Sequence, residues 1–273
     1  MGQLDGKVAF ITGAARGQGR CHAIELARSG ASIIALDICS QIDTVAYRMS
    51  TPEDLDETVR LVEEVGGKIV ASQADVRDRA QVETALARGV EVFGQPDIVL
   101  ANAGISPQRA SEPDPQAVFV DTIETNLIGV WNTVIAAAPA MIERGQGGSI
   151  VITSSAQGII GRGGDGSGAA TAYTASKHGV VGMMRSFSAW LAPHSIRVNT
   201  VNPTGVRTPM VENDAIAEWF AANPTVAATM GNPMPVFMVD PIDVTRAVLY
   251  LVGESGRYVT GVVLPVDAGF TSK

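Results

Sequence analysis

Short, nearly continuous apolar runs alternate along the chain with longer segments whose apolar positions recur at helical spacing. The runs fall at Val8 to Ile11, Ser32 to Leu36, Ile69 to Gln73, Ile98 to Leu100, Ile150 to Thr153, Ile196 to Val201 and Val262 to Val266. Valine and isoleucine runs without polar alternation are what strands need when both faces of a sheet are covered, and the helical stretches supply the cover. The pattern predicts one α/β domain over residues 1–273, a doubly wound parallel sheet with helices on both faces that binds ligands at its strand carboxyl ends. No repeat or low-complexity linker divides the chain. Three connections exceed the typical length of about 2 to 6 residues: Ile38 to Thr51, Gly158 to Ala172 and Met210 to Met238.

Composition removes several function classes. An apolar share of 46% with 18% charged residues suits a packed core, and the net charge of -8 repels phosphate backbones and anionic lipid headgroups. No nucleic-acid partner is expected. Cys21 and Cys39 make no metal or disulfide pattern, and His22, His178 and His194 have no ligand spacing, so no metal is expected and a reducing cytoplasm is. No leader pattern precedes Val8. The apolar stretch Val130 to Ile142 is broken by Asn132 and Pro139, short of the roughly 20 residues that cross a bilayer, so no membrane span is expected.

After the first run comes Thr12-Gly13-Ala14-Ala15-Arg16-Gly17-Gln18-Gly19, then a helical pattern to Ser29. Glycines let the backbone approach a pyrophosphate, and the helix start offers free N–H donors to it. The turn alone is weak evidence. Asp37 follows the second run about 20 residues later, where a carboxylate accepts from adenine-ribose hydroxyls. It repels a 2′-phosphate and so favours NAD over NADP, although Arg16 pulls the other way.

Tyr173 and Lys177 stand at i and i+4 of a helical run ending near Leu191, on one face. A phenol titrates near 10, and an adjacent ammonium together with a nicotinamide cation is expected to lower it into acid/base range. Such a pair alone is more often an ordinary surface pair. The neighbours change its weight: Ser155 follows the fifth run at the carboxyl edge, Asn102-Ala103-Gly104 follows the fourth, and Asn126 interrupts a helical run from Val118 to Met141.

The ordered set Thr12-Gly13-x-x-x-Gly17-x-Gly19, Asp75-Val76, Asn102-Ala103-Gly104, Asn126, Ser155, Tyr173-x-x-x-Lys177 and Asn202-Pro203-x-Gly205 resembles the short-chain dehydrogenase/reductase family over nearly the whole chain. The resemblance implies a Rossmann domain and an NAD-dependent alcohol dehydrogenase or ketone reductase. Tyr173 would exchange the hydroxyl proton, Ser155 would bind the substrate oxygen, Lys177 would hold nicotinamide ribose, and Asn126 would hold a relay water. The dinucleotide would meet Gly13, Arg16, Gly17, Gln18, Gly19, Asp37, Asp75, Val76, Asn102, Ala103, Gly104, Tyr173, Lys177, Pro203, Val206 and Thr208. The resemblance also implies a homotetramer.

Gln18 replaces the usual branched aliphatic, Thr204 is inserted before Gly205, and the 38–51 connection is long. With Asp37-Ile38-Cys39 and Pro203-Thr204-Gly205-Val206, these features are similar to the mycofactocin-coupled, carveol-dehydrogenase-like subgroup. That likeness implies tightly held NAD reoxidised by mycofactocin, and residues 209–238 resemble the family's lid over a small apolar alcohol or ketone, terpenoid-like in shape, with packing of the core or of a subunit interface as the alternative. The place of the 38–51 insertion directly after Asp37 is expected to fold it over the dinucleotide and slow its release, the alternative being an ornamental surface loop. The alternatives are a conventional family member with freely exchanging NAD(P), or a non-catalytic NAD-binding protein, which would not need the Asn126, Ser155, Tyr173, Lys177 set.

Overall fold

The computed structural model describes residues 2–272. Seven strands, β1 Val8–Thr12, β2 Ser32–Asp37, β3 Lys68–Gln73, β4 Ile98–Ala101, β5 Gly148–Thr153, β6 Ile196–Pro203 and β7 Val263–Val266, make one sheet. Their order is β3-β2-β1-β4-β5-β6-β7, and every neighbouring pair runs parallel. Each run expected to be a strand is one. The order reverses between β1 and β4, so the loops leaving those two strands diverge and open a crevice at their carboxyl ends.

Alternate residues of β1 serve opposite layers, as a pleat requires. Val8 and Phe10 pack with α3 Arg79–Phe93, α5 Gly129–Arg144 and α6 Gly168–Leu191. Ala9 and Ile11 pack with α1 Gly17–Arg28, α2 Pro52–Glu64 and α9 Pro241–Val252. With both faces covered, only unbroken apolar runs satisfy the inner strands, which is why the sequence pattern was easy to read.

The helical run expected from Val118 to Met141 extends through α4 Pro115–Ile123, a π-helical turn Glu124–Ile128 and α5. Pro139 sits inside α5 without ending it. The combined run Pro115–Arg144 is long and apolar enough to cross a membrane by length and composition, which corrects the expectation that no such stretch exists. More than half of its apolar window is buried, against the α3 and α6 layer, as in a core helix.

The connection after β5 is shorter than the sequence suggested, because α6 starts at Gly168, before Tyr173. The long segment after β6 contains two short helices, α7 Asp214–Ala222 and α8 Pro224–Thr229.

Candidate active site

The crevice at the β1/β4 switch point begins with the glycine turn. Gly13 has φ +68, and a Cβ there would lie 2.8 Å from Ala103 Cα. A Cβ on Gly19 would lie 2.0 Å from the Gly13 carbonyl oxygen, so α1 approaches β1 only because residue 19 has no side chain. Thr12 Oγ1 accepts from the backbone N–H groups of Asn102 and Ala103, both at 3.1 Å. Asn102 donates to the Thr12 carbonyl at 3.1 Å and accepts from Thr153 Oγ1 at 3.2 Å. The ends of β1, β4 and β5 are therefore stitched together beneath a cleft of about 820 Å³.

Asp37, the last residue of β2, is buried on the cleft wall. One carboxylate oxygen accepts from Ala15 N–H at 2.9 Å, and the other from Ser50 Oγ at 2.5 Å. Asp75 and Val76 line the same cleft, the Asp75 carboxylate being held by Arg77 at 2.7 Å. Gly17, Gln18 and Gly104 also line it. After β6, Thr208 does so, whereas Pro203 ends the strand and Val206 packs into the core beneath α9, bridging in parallel to Val239.

Residues 38–51 lie across this cleft as an ordered strap. Cys39 begins it in the left-handed region, φ 47, with its N–H reaching Asp37 at 3.4 Å. Ile42, Val45, Tyr47 and Met49 are buried and pack with Ile105, Ile38 and Met210, and Thr44 Oγ1 donates to Asp121 of α4 at 2.6 Å. Thr51, the N-cap of α2, closes the strap with a capping box to Asp54. Arg16 faces the strap, donating to the Arg48 carbonyl at 2.6 Å and lying 5.8 Å from the Tyr47 ring centroid. That engagement commits one of the Arg16 guanidinium nitrogens to the strap.

Two polar atoms in the cleft, Gln18 Oε1 and Thr125 Oγ1, are buried without a hydrogen-bond partner among the described residues. Buried acceptors are normally paired, and an unpaired one costs about 1–3 kcal/mol. A glycine cradle that excludes Cβ atoms, a buried carboxylate and two unpaired polar atoms, all lining one cleft, fit a dinucleotide.

The chemistry-bearing side chains lie where this cleft meets a second, apolar cavity of about 1440 Å³, Met210 lining both. Tyr173 and Ser155 both line the second cavity. Ser155 caps the 3₁₀ turn Ala156–Gly158, its Oγ accepting from Gln157 N–H at 3.1 Å, while its carbonyl takes Asn202 Nδ2 at 2.8 Å. Tyr173 is placed by the start of α6, where Ser167 caps Ala170 and the Glu112 carboxylate accepts from Gly168 and Ala169, each at 2.8 Å. An acceptor pair at a helix N-terminus satisfies its orphan donors and its dipole together.

Lys177 is buried, its Nζ 5.7 Å from the Tyr173 ring centroid and 2.8 Å from the Thr153 carbonyl that accepts from it. Burial pushes its ammonium down to about 8. Burial also pushes the Tyr173 phenol up, with the Ser155 hydrogen bond opposing. The expected lowering of the phenol is therefore not present in the protein alone, because desolvation of the phenolate outweighs one hydrogen bond. Asn126 occupies the π-turn with no exposed surface; its Oδ1 accepts from Ile105 N–H and its Nδ2 donates to the Ile105 carbonyl, both at 2.8 Å. Single π-turns inside helices recur at functional sites.

Sequence reasoning located the insertion but named none of its cleft residues, Ile42, Tyr47, Met49 and Ser50, and it missed Thr125 and Glu112. The recurring apolar positions 42, 45, 47 and 49 were the available signal, since a solvated loop has no use for them.

The family model described as "short chain dehydrogenase" matches residues 7–219. An uncharacterized oxidoreductase of Mycobacterium tuberculosis is 53% identical over 99% of this chain and 98% of its own length. The (-)-trans-carveol dehydrogenase of Rhodococcus erythropolis is 44% identical, with both chains covered fully. The crystal structure of carveol dehydrogenase from Mycobacterium avium in complex with NAD superposes with a TM-score of 0.91 at 46% identity, again over both whole chains. The seven-stranded doubly wound sheet, the glycine turn and the family match agree: this chain belongs to the short-chain dehydrogenase family.

Proposed function

We propose that the chain oxidises an apolar secondary alcohol to the ketone, or reduces the ketone, with NAD as the hydride partner, on a substrate of terpenoid-like shape. The observation that carries this reading is that Ser155 and Tyr173 line one large apolar cavity, which adjoins the dinucleotide cleft at Met210. NAD, when bound, supplies the hydride acceptor. Tyr173 takes the carbinol proton in oxidation and returns it in reduction, while Ser155 hydrogen-bonds the substrate oxygen. The phenol sits high in the protein alone, with Lys177 already beside it, so its deprotonation needs the added positive charge of the nicotinamide.

The ammonium gives one donor to Thr153, leaving donors for ribose hydroxyls. Asp37 takes the adenine-ribose hydroxyls, and Gly13 through Gly19 bring backbone N–H groups to the phosphates. Both ends of the Asn126 amide are committed to Ile105, so we give it the role of bracing the wall beside Gly104; one lone pair on Oδ1 is left for the relay water. Tyr173→Phe tests the reading: oxidation of a secondary-alcohol panel should fall by about 10²-fold or more, with NAD binding retained. Undiminished turnover would overturn it.

The strap supports a finer proposal, that NAD remains in the cleft and is reoxidised there by a carrier of the mycofactocin type. Release requires lifting Ile42, Tyr47 and Met49 out of an apolar cluster. Purified protein should keep NAD through prolonged dialysis and oxidise alcohols only with an artificial electron acceptor; rapid exchange with added NAD would return the conventional reading. We also assign the chain to the cytoplasm, in keeping with two unpaired cysteines, and to a homotetramer.

A further inference from the structure

We propose that Gln157 is a specificity-determining residue and that the substrate is bifunctional, carrying a hydroxyl besides the reacting carbinol. This deepens the alcohol-oxidation reading and rests on it. Gln157 follows Ser155 by one 3₁₀ turn, and its own N–H holds Ser155 Oγ at 3.1 Å, so its side chain lines the alcohol cavity beside the catalytic hydroxyls.

Four of the other polar side chains of that cavity are engaged within the protein. Ser106 donates to Gln108, Thr204 to Asn232 at 2.9 Å, Trp219 to Asp165 at 2.7 Å, and Arg162 to the Phe270 carbonyl at 3.1 Å. Gln157 differs: its Oε1 is buried with no hydrogen-bond partner among the described residues. An unpaired amide on the wall of an apolar cavity costs free energy in every complex with a purely hydrocarbon frame. A substrate hydroxyl removes that cost, and because the amide presents an acceptor at one end and donors at the other, a hydroxyl is satisfied by either orientation. Sites that hydrogen-bond a substrate hydroxyl reject analogues lacking it far more sharply than apolar pockets reject a missing methylene.

Matched pairs that exchange hydroxyl for methyl test this with little change of shape: 1,2-, 1,3- and 1,4-cyclohexanediol against 2-, 3- and 4-methylcyclohexanol. At one of the three positions the diol should be preferred in kcat/KM by about tenfold or more, and Gln157→Met, similar in volume, should erase the preference. Wild-type enzyme with no diol preference at any position, or a preference that survives Gln157→Met, would overturn the inference. Calorimetric binding of the same alcohols to the NADH-loaded wild-type protein, where no oxidation can occur, reads the preference without turnover. Absence of turnover with diol-selective binding would sink the oxidoreductase reading instead, and equal binding of both partners of each pair would sink the Gln157 assignment. The binding comparison also decides the matter if Gln157→Met fails to fold.

Discussion

A single hydroxyl, Ser50 Oγ, joins the strap to the dinucleotide site by donating to Asp37 at 2.5 Å. Both partners are buried, so the bond is shielded from solvent and fixes which carboxylate lone pairs remain for a ribose. Ser50→Ala should speed NAD dissociation by about tenfold, measured by fluorescence of released NADH, since a hydrogen bond to a charged group contributes about 1.5–3 kcal/mol. An unchanged rate would mean that the strap holds the cofactor without this bond. Asp37 was legible from its distance beyond the glycine turn, but Ser50 was not, because its importance comes from a contact 13 residues away along the chain. Asn126 was legible as a poor helix former, yet its engagement with Ile105 required the fold.

At the scale of elements, the packing of α1 on α9 buries a titratable group that the proposed chemistry does not use. His22 has 1% of its surface exposed, its Nδ1 lies 2.7 Å from Thr245 Oγ1, and burial pushes its pKa down to about 3. The folded state therefore holds His22 neutral while the unfolded chain takes up a proton below about 6.5. Its stability contribution is complete above about pH 6.5 and is lost as pH falls toward 3. Between pH 7 and 5 this one group should cost about 2 kcal/mol, read from denaturant unfolding. His22→Leu should flatten the slope by that amount, and a variant with the wild-type slope would refute the assignment. The helix α6 illustrates a different element-scale lesson. Its Tyr173/Lys177 spacing was visible at once, but Glu112, which caps its start, comes from a segment 56 residues earlier and carries no local signal.

Over the whole molecule, several of the exposed large apolar side chains fall on one helical run. Phe119, Val120, Ile128 and Trp131 of the α4 to α5 run, with Trp190 at the end of α6, are exposed large hydrophobics. Exposed large apolar side chains gathered on one helical run suit an association surface, which supports the proposed assembly of 28.4 kDa chains. Light scattering should give about four times that mass, and Trp131→Glu should shift it to a smaller species; a monomeric wild type would refute the tetramer. The sequence by itself determined the fold class and its seven strands, and it put forward the candidate site residues. Strands buried on both faces must be unbroken apolar runs, and a glycine turn, an i, i+4 pair and residues at strand ends are all defined by local spacing. Only the tertiary structure decided where the insertion goes and what it does, that Arg16 faces the strap, that burial sets the Tyr173 and Lys177 pKa values, and that Gln157 is left unpaired. Each of these depends on which distant groups share a desolvated space, and desolvation is a property of the packed molecule that no local pattern encodes.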